Sequence, residues 1–414
     1  MSVTIEAPAA HEDQTRELGR RLQLTRAGIW FAGNQGDPYA MILRATDADS
    51  TPWEERIRAH VPWFRSDLLD AWVTADHAVA DRVLADPRFG TLDRAGRRPH
   101  ADLLPVAAAF PQYERTTFAR LRGLAAPVLS DTVLGGSERA DGEGLIHGLL
   151  PADPAGFDLV ADVARPYAAA FVLRLLGVGE GERAEAARLL ARCGPQLDAR
   201  FTPQTLAVAR DSAAAVQEVA ALVRELVARK ATAGAARPAD VIGTLLSRGV
   251  ARQDVERIGL VLAVGAPEPA ATLIANTVRG LLGRSGDWAN ARHASAASAA
   301  VDRTLLVRPP ARLEHRVAHE DVRFGGRDIH ADDQVVVLAS AVPGAPRHAS
   351  RTWPLGGPDG PHLALAWPVV RLAAWTAVSA LADALPGLGV TGRVLMRPRS
   401  PVVRAYARFP VRER

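Results

Sequence analysis

The stretch GGPDGPHLALAW, Gly356 to Trp367, decides how the rest of the chain is read. It opens with glycines and prolines over 356–361. His362 and an apolar run follow, then Arg371-Leu372-Ala373-Ala374, which opens a helix. Positions 364 and 366 are both alanine, so neither presents a metal-donating side chain. The chain's single cysteine, Cys193, lies far upstream in a helical stretch. One cysteine excludes an intramolecular disulfide and any cysteine-built metal or iron–sulfur cluster.

Working outward, 414 residues with 48% hydrophobic side chains are enough to bury a large core. The net charge is only +4, and Lys230 is the sole lysine among scattered arginines. Nucleic-acid binding calls for clustered positive charge, so no nucleic-acid partner is expected. The start, MSVTIEAPAAHEDQTRELGRR, has no apolar run of the kind a secretory leader needs. The most apolar stretch, Ile258 to Leu282, is interrupted by Pro267, Glu268 and Pro269 and makes a poor membrane span. A cytoplasmic protein with no membrane partner is expected.

Helical patterns dominate. Trp53–His60, Asp76–Asp86, Phe118–Leu129 and Phe157–Leu176 read as helices, the last ended by Gly177. Thr202-Pro203 reads as the start of a helix running to about Lys230, with Val216, Val219, Val223, Leu226 and Val227 on one stripe. Further helices are expected over Asp254–Leu282 and Leu363–Ala384. Strand text is sparse and late: Asp321–Phe324, a Gly325-Gly326 turn, Arg327–Ile329 and Gln334–Ala339 predict one small antiparallel sheet. His315 and His319, just before it, have metal-like spacing only on a helix; in strand text they read as surface residues, and no metal site is expected.

The segments VLADPRF (Val83–Phe89), FARLRGLAAPVL (Phe118–Leu129), LLGVGEGER (Leu175–Arg183), TLIAN (Thr272–Asn276), VRPPARLEHRVAHEDVRFGGRDIHADDQVVVLASA (Val307–Ala341) and GPHLALAWPVVRLAA resemble, in this order, bacterial cytochrome P-450 enzymes over nearly the whole chain. The resemblance implies a mainly α cytochrome P-450 fold with a small antiparallel β region. It implies nothing about activity, since folds outlive their chemistry.

That family's functional positions are degenerate here. Its haem-loop frame G-x-H-x-C-x-G places the iron-ligating cysteine at Ala364, and a methyl group cannot donate to iron. Its A-G-x-[DE]-T helix motif falls on Gly265–Pro269: the acid survives as Glu268, but the proton-delivering threonine is Pro269. Two prolines inside a helix cost roughly 3 kcal/mol each, so the helix should kink or break. The E-x-x-R pair falls on Arg303 and Leu306, and the propionate-gripping H-x-x-x-R on Phe118 and Arg122. Val342–His362 also leaves a meander shorter by about twenty residues than family loop spacing allows. The expected state is haem-free, without cofactor and without catalytic residues.

LGRRLQLTRAGIWFAGNQGDPYAMILR (Leu18–Arg44) and RPRSPVVRAYARFPV (Arg397–Val411) resemble the ends of the cytochrome P-450-like activator proteins of macrolide and anthracycline pathways. On that resemblance residues 1–48 are an N-terminal extension typical of the subfamily and 49–414 a single cytochrome P-450-like domain. It implies a protein that binds and activates or stabilises a partner glycosyltransferase, in a heterotetramer, which transfers a TDP-deoxy(amino)sugar to a polyketide aglycone. Trp30, Phe31, Tyr39 and Met41 are a local concentration of interface-type residues in a chain that is only 5% aromatic. They either meet the partner or pack the segment onto its own domain, and the sequence leaves both open. Two enzymatic readings also stay open: a haem-free cyclase or isomerase using Glu268 in the old cavity, and an oxygenase with atypical haem ligation.

Overall fold

The computed structural model describes residues 8–47, 49–97, 113–130, 137–151, 156–233, 240–284, 286–339 and 362–413. The helical body begins with α1 (Pro8–Asn34), α2 (Pro38–Arg44), α3 (Thr51–Arg58) and α4 (His77–Ala85). Next come α5 (Arg115–Leu129), α6 (Ser137–Leu149), α7 (Arg165–Leu176), α8 (Glu180–Cys193), α9 (Leu206–Ala233) and α10 (Val241–Ser247). It is completed by α11 (Arg252–Gly265), α12 (Pro267–Leu282), α13 (Ala294–Val307) and α14 (His362–Ala384). The predicted stripe Val216–Val219–Val223–Leu226–Val227 on α9 is buried throughout, against α8 and α11.

The helix expected over Asp254–Leu282 is interrupted at Ala266. Starting α12 at Pro267 puts both prolines in a first turn, where N–H groups have no intrahelical partner, so their missing donors cost little. The stretch Phe157–Leu176 opens with strand β4 (Phe157–Asp158) and a π-helical turn (Leu159–Ala164) before α7. The Arg165 N–H there bonds Val160, five residues back. Gly177 ends α7 in the left-handed conformation, φ 79°.

Further expectations need correction. Thr202-Pro203 does not start α9. Gln204 Nε2 donates to the Arg399 carbonyl (2.9 Å), tying this segment to the C-terminal loop, and the helix begins at Leu206. Arg371 does not open a helix, because α14 is already helical from His362. The strands are neither few nor all late. A five-stranded sheet in the order β1-β2-β8-β5-β3 combines β1 (Phe64–Ser66), β2 (Ala71–Thr74) and β3 (Phe89–Gly90) with β5 (Leu313–Ala318) and β8 (Gln334–Leu338). β2 and β8 run parallel, the other pairs antiparallel. The predicted turn at Gly325-Gly326 does join a hairpin, β6 (Val322–Phe324) to β7 (Arg327–Ile329), but it stands apart from that sheet. Near the C-terminus lie β9 (Gly389–Val390), β10 (Leu395–Met396), β11 (Tyr406–Arg408) and β12 (Pro410–Arg412).

His315 is not a surface residue. It is 2% exposed on β5, with Nε2 3.3 Å from Gln334 Oε1 and its ring edge-on to Phe201. Among the described residues no group of three His, Cys, Asp or Glu side chains is placed to hold a metal. Two helical stretches are long and apolar enough to cross a membrane, Arg252–Leu282 and Leu365–Ala384. They are 94% and 78% buried, which makes them core helices.

Candidate functional site: the degenerate haem positions and the N-terminal face

Ala364 lies in the first turn of α14, so the ligand position is helical here. The residues before it, 356–361, and the shortened meander 342–361 lie outside the described residues. α14 packs along α12 and α11, and Leu365, Ala366, Val369 and Val370 share one core with Ala266, Ala270 and Leu273. Pro269 is buried in the first turn of α12, and Phe118 is buried on α5 with its ring edge-on to Tyr113 at 5.4 Å. Arg303 and Leu306 are both exposed on α13, Leu306 by 44%. The carboxylate next to them, Asp302, is instead held by Arg371 of α14 at 2.7 Å.

The fold family implies a haem, but the donor set does not fit a thiolate-ligated one. Cys193 is buried at the end of α8, and burial pushes its thiol up to about 12, away from the thiolate form.

Glu268 is the one family acid that survives, and the structure spends it on an ion-pair cluster. Arg397 donates to Glu268 Oε1 at 2.9 Å and to Asp198 Oδ2 at 3.0 Å; Arg165 reaches the same Glu268 oxygen at 3.3 Å. Asp198 is fully buried and also accepts from Ser400 Oγ (2.6 Å), Val402 N (2.8 Å) and Val403 N (3.0 Å). Burial works to raise Glu268, but Arg397 and Arg165 outweigh it and hold the carboxyl below its ordinary value. Burial pushes Asp198 the other way, above its ordinary value, against the pull of Arg397 and its donors. The cluster fastens the C-terminal loop to the break between α11 and α12. Tyr406 extends the same seam, donating to Asn276 Oδ1 at 2.6 Å. Sequence spacing could not reveal this set, because its members come from positions 165, 198, 268 and 397.

At the other candidate face the four N-terminal residues separate. Tyr39 is 3% exposed and belongs to the main core with Ile42 and Leu43, so it is withdrawn from any docking set. Burial, with Asp37 nearby, pushes its phenol above the ordinary range. Met41 is half-buried in a small cleft beside Arg312 and Arg404. Trp30 and Phe31 are 42% and 58% exposed. The Arg44 guanidinium lies 4.5 Å over the Trp30 ring. α1 turns Leu18 and Leu22 onto α9 and Ile29 into the main core, leaving Trp30 and Phe31 outside.

This fold is that of a cytochrome P450: the ligand-free structure of Mycobacterium smegmatis CYP164A2 covers 91% of this chain and 100% of its own, at TM-score 0.73 and 25% identity. The epothilone B-bound cytochrome P450epoK matches at TM-score 0.72 over 88% of this chain and 96% of its own, with 21% identity. Among curated sequences, Protein AknT of Streptomyces galilaeus is 37% identical over 99% of both chains. Protein TylM3 of Streptomyces fradiae is 38% identical over 98% of this chain and 95% of its own, and the cytochrome P450 family protein EryCII of Saccharopolyspora erythraea 32% over 95% and 97%. No family model matches the chain. The chain belongs to the cytochrome P450-like family of AknT, TylM3 and EryCII.

Proposed function

We propose that this protein is a haem-free, non-catalytic auxiliary protein. It binds a partner glycosyltransferase in the cytoplasm and holds it active while that enzyme transfers a TDP-deoxysugar to a polyketide aglycone. The observation that carries this reading is near full-length likeness to AknT and TylM3, joined to the loss of donor chemistry at Ala364 and Pro269. A partner that binds the active conformer raises its population by its differential affinity for that conformer, so no residue of this chain has to touch sugar or aglycone. The resemblance extends the reading to a heterotetramer, and to residues 1–48 as an extension of a single domain. The cyclase or isomerase alternative rested on Glu268 as acid or base. A buried carboxylate paired with two arginines and held below its ordinary value is a poor proton donor.

The test is co-expression with the glycosyltransferase from the same gene neighbourhood, followed by co-purification and assay of sugar transfer with and without this chain. Stable association and a transfer rate that depends on this chain are expected. A glycosyltransferase equally active alone, with no association, would end the reading.

A further inference from the structure

Nine large hydrophobic side chains are exposed among the described residues, and three of them, Leu24, Trp30 and Phe31, fall within one eight-residue stretch of α1. With Ala27 they recur at i, i+3, i+6 and i+7, the spacing of one helix face. Gly28 beside them would meet no atom within 4 Å if it carried a Cβ, so this side of α1 is open. An i, i+3, i+7 ridge of this kind is the surface an amphipathic helix packs against.

Trp30 also begins a cleft of about 270 Å³, lined by Arg26, Arg44, Asp47, Pro203 and Arg399 among others. Arg44 is occupied by the Trp30 carbonyl and Asn34 Oδ1. Asp47 is engaged by Arg393 and the Met396 N–H. Arg26 and Arg399 both line this cleft and have no carboxylate partner among the described residues; burial and then Arg26 push Arg399 below its ordinary value. With Asp47 taken up by Arg393, two arginines lining one cleft leave positive charge there for an acidic group to meet.

We propose that an amphipathic helix of the partner protein lies along the Leu24–Ala27–Trp30–Phe31 face of α1 and places an acidic side chain between Arg26 and Arg399. The apolar ridge supplies the anchors and the arginine gap supplies register. This rests on the partner reading above and names the surface and chemistry through which it operates.

The experiment uses the full chain with the same co-expressed glycosyltransferase and measures Kd, its salt dependence and sugar transfer. Phe31→Ala and Trp30→Ala are each expected to weaken binding at least about tenfold with the circular dichroism spectrum unchanged. The double variant Arg26→Glu, Arg399→Glu is expected to weaken it by at least about tenfold and to flatten the salt dependence. Leu68→Ala, exposed on the β1–β2 turn, is the control and should bind as the unaltered protein does. Should an alanine variant or the charge-reversal pair fold poorly, Arg26→Glu alone still decides, since Arg26 is exposed, and unchanged affinity in that variant overturns the proposal. Unchanged affinity in the charge-reversal pair, or an unchanged salt slope, overturns the proposal while leaving the partner reading intact. Failure of the unaltered chain to bind or activate ends the partner reading itself. Concentration-dependent self-association that Phe31→Ala abolishes would make a second copy of this chain the occupant, and the proposal wrong.

Discussion

Replacing Arg397 by methionine should destabilise this protein by about 3 kcal/mol, and the figure follows from what the side chain touches. Removing one member of a buried ion pair typically costs about 3–5 kcal/mol, because the partner charge is left without compensation. Arg397 serves two carboxylates, Glu268 at 2.9 Å and Asp198 at 3.0 Å. Two features place the expected loss at the low end. The Arg397 side chain is 23% exposed, so water recovers part of the lost interaction. Asp198 also keeps three other donors, Ser400 and the Val402 and Val403 amides. Among the described residues Glu268 then retains only Arg165, at a longer 3.3 Å. Surface pairs such as Arg20–Glu17, both exposed and screened by water, set the contrast: breaking one should leave stability essentially unchanged.

Thermal unfolding of the isolated chain, compared between Arg397→Met and Arg20→Met, is the assay. For a chain of this length a destabilisation of this size is worth several degrees in Tm. Glu268→Gln adds the pH signature. A carboxyl held below its ordinary value of 4.5 contributes stability that is fully present above that pH and is lost as pH falls through the lowered folded value. The stability gap between the native chain and Glu268→Gln should therefore be present at pH 7 and close below about pH 4.5. If Arg397→Met melts with the native protein, the cluster does not fasten the C-terminal loop. If Glu268→Gln leaves stability untouched at pH 7 but abolishes a measurable turnover, Glu268 is a catalytic group after all.

Three further outcomes are expected. The purified protein, expressed with haem precursor supplied, should show no stoichiometric Soret absorbance, because Ala364 offers iron no donor. Ala364→Cys alone should not create a working oxygenase, since Pro269, Arg303 and Leu306 remain; substrate-dependent oxidation by that variant would contradict this. Tyr39→Ala should lose about 3–5 kcal/mol as a buried aromatic truncation, whereas Phe31→Ala should melt like the native chain; equal losses in Tm for both would place Phe31 in the core.

What the sequence disclosed, and what it hid, follows the range of the interactions involved. Helices announced themselves through apolar residues three and four apart, as in α9, and through local caps such as Asp76, whose carboxylate accepts the Val79 N–H at 2.8 Å. Strands β1, β2 and β3 are two to four residues long, too short for a period of two to register; β2 and β3 are held by β8 and β5 from more than 200 residues away, and β1 pairs in turn on β2. His315 was misplaced for the same reason. Its neighbours in sequence are charged, but β5 is covered on both sides, as every one of its six residues is buried. The break at Ala266 was legible because proline acts on its own turn.

The two candidate sites differ in the same way. The degenerate haem positions could be read from single residues, because a missing sulfur or hydroxyl is a property of one side chain. The fate of Glu268 could not, since the arginines that neutralise it stand 103 residues before it and 129 after it. At the N-terminus, composition marked Trp30, Phe31, Tyr39 and Met41 together, and only packing could part them: one helical turn beyond α1, Tyr39 swings into the core while Phe31 stays outside. That division also changes how the segment can be tested. Deleting residues 1 to 44 would strip Ile29, Tyr39, Ile42 and Leu43 from the main core, so lost co-purification would follow from unfolding whether or not a partner docks there. Point substitutions on the outward face of α1 leave those four side chains in place, and a loss of binding at constant Tm can then be assigned to the surface itself.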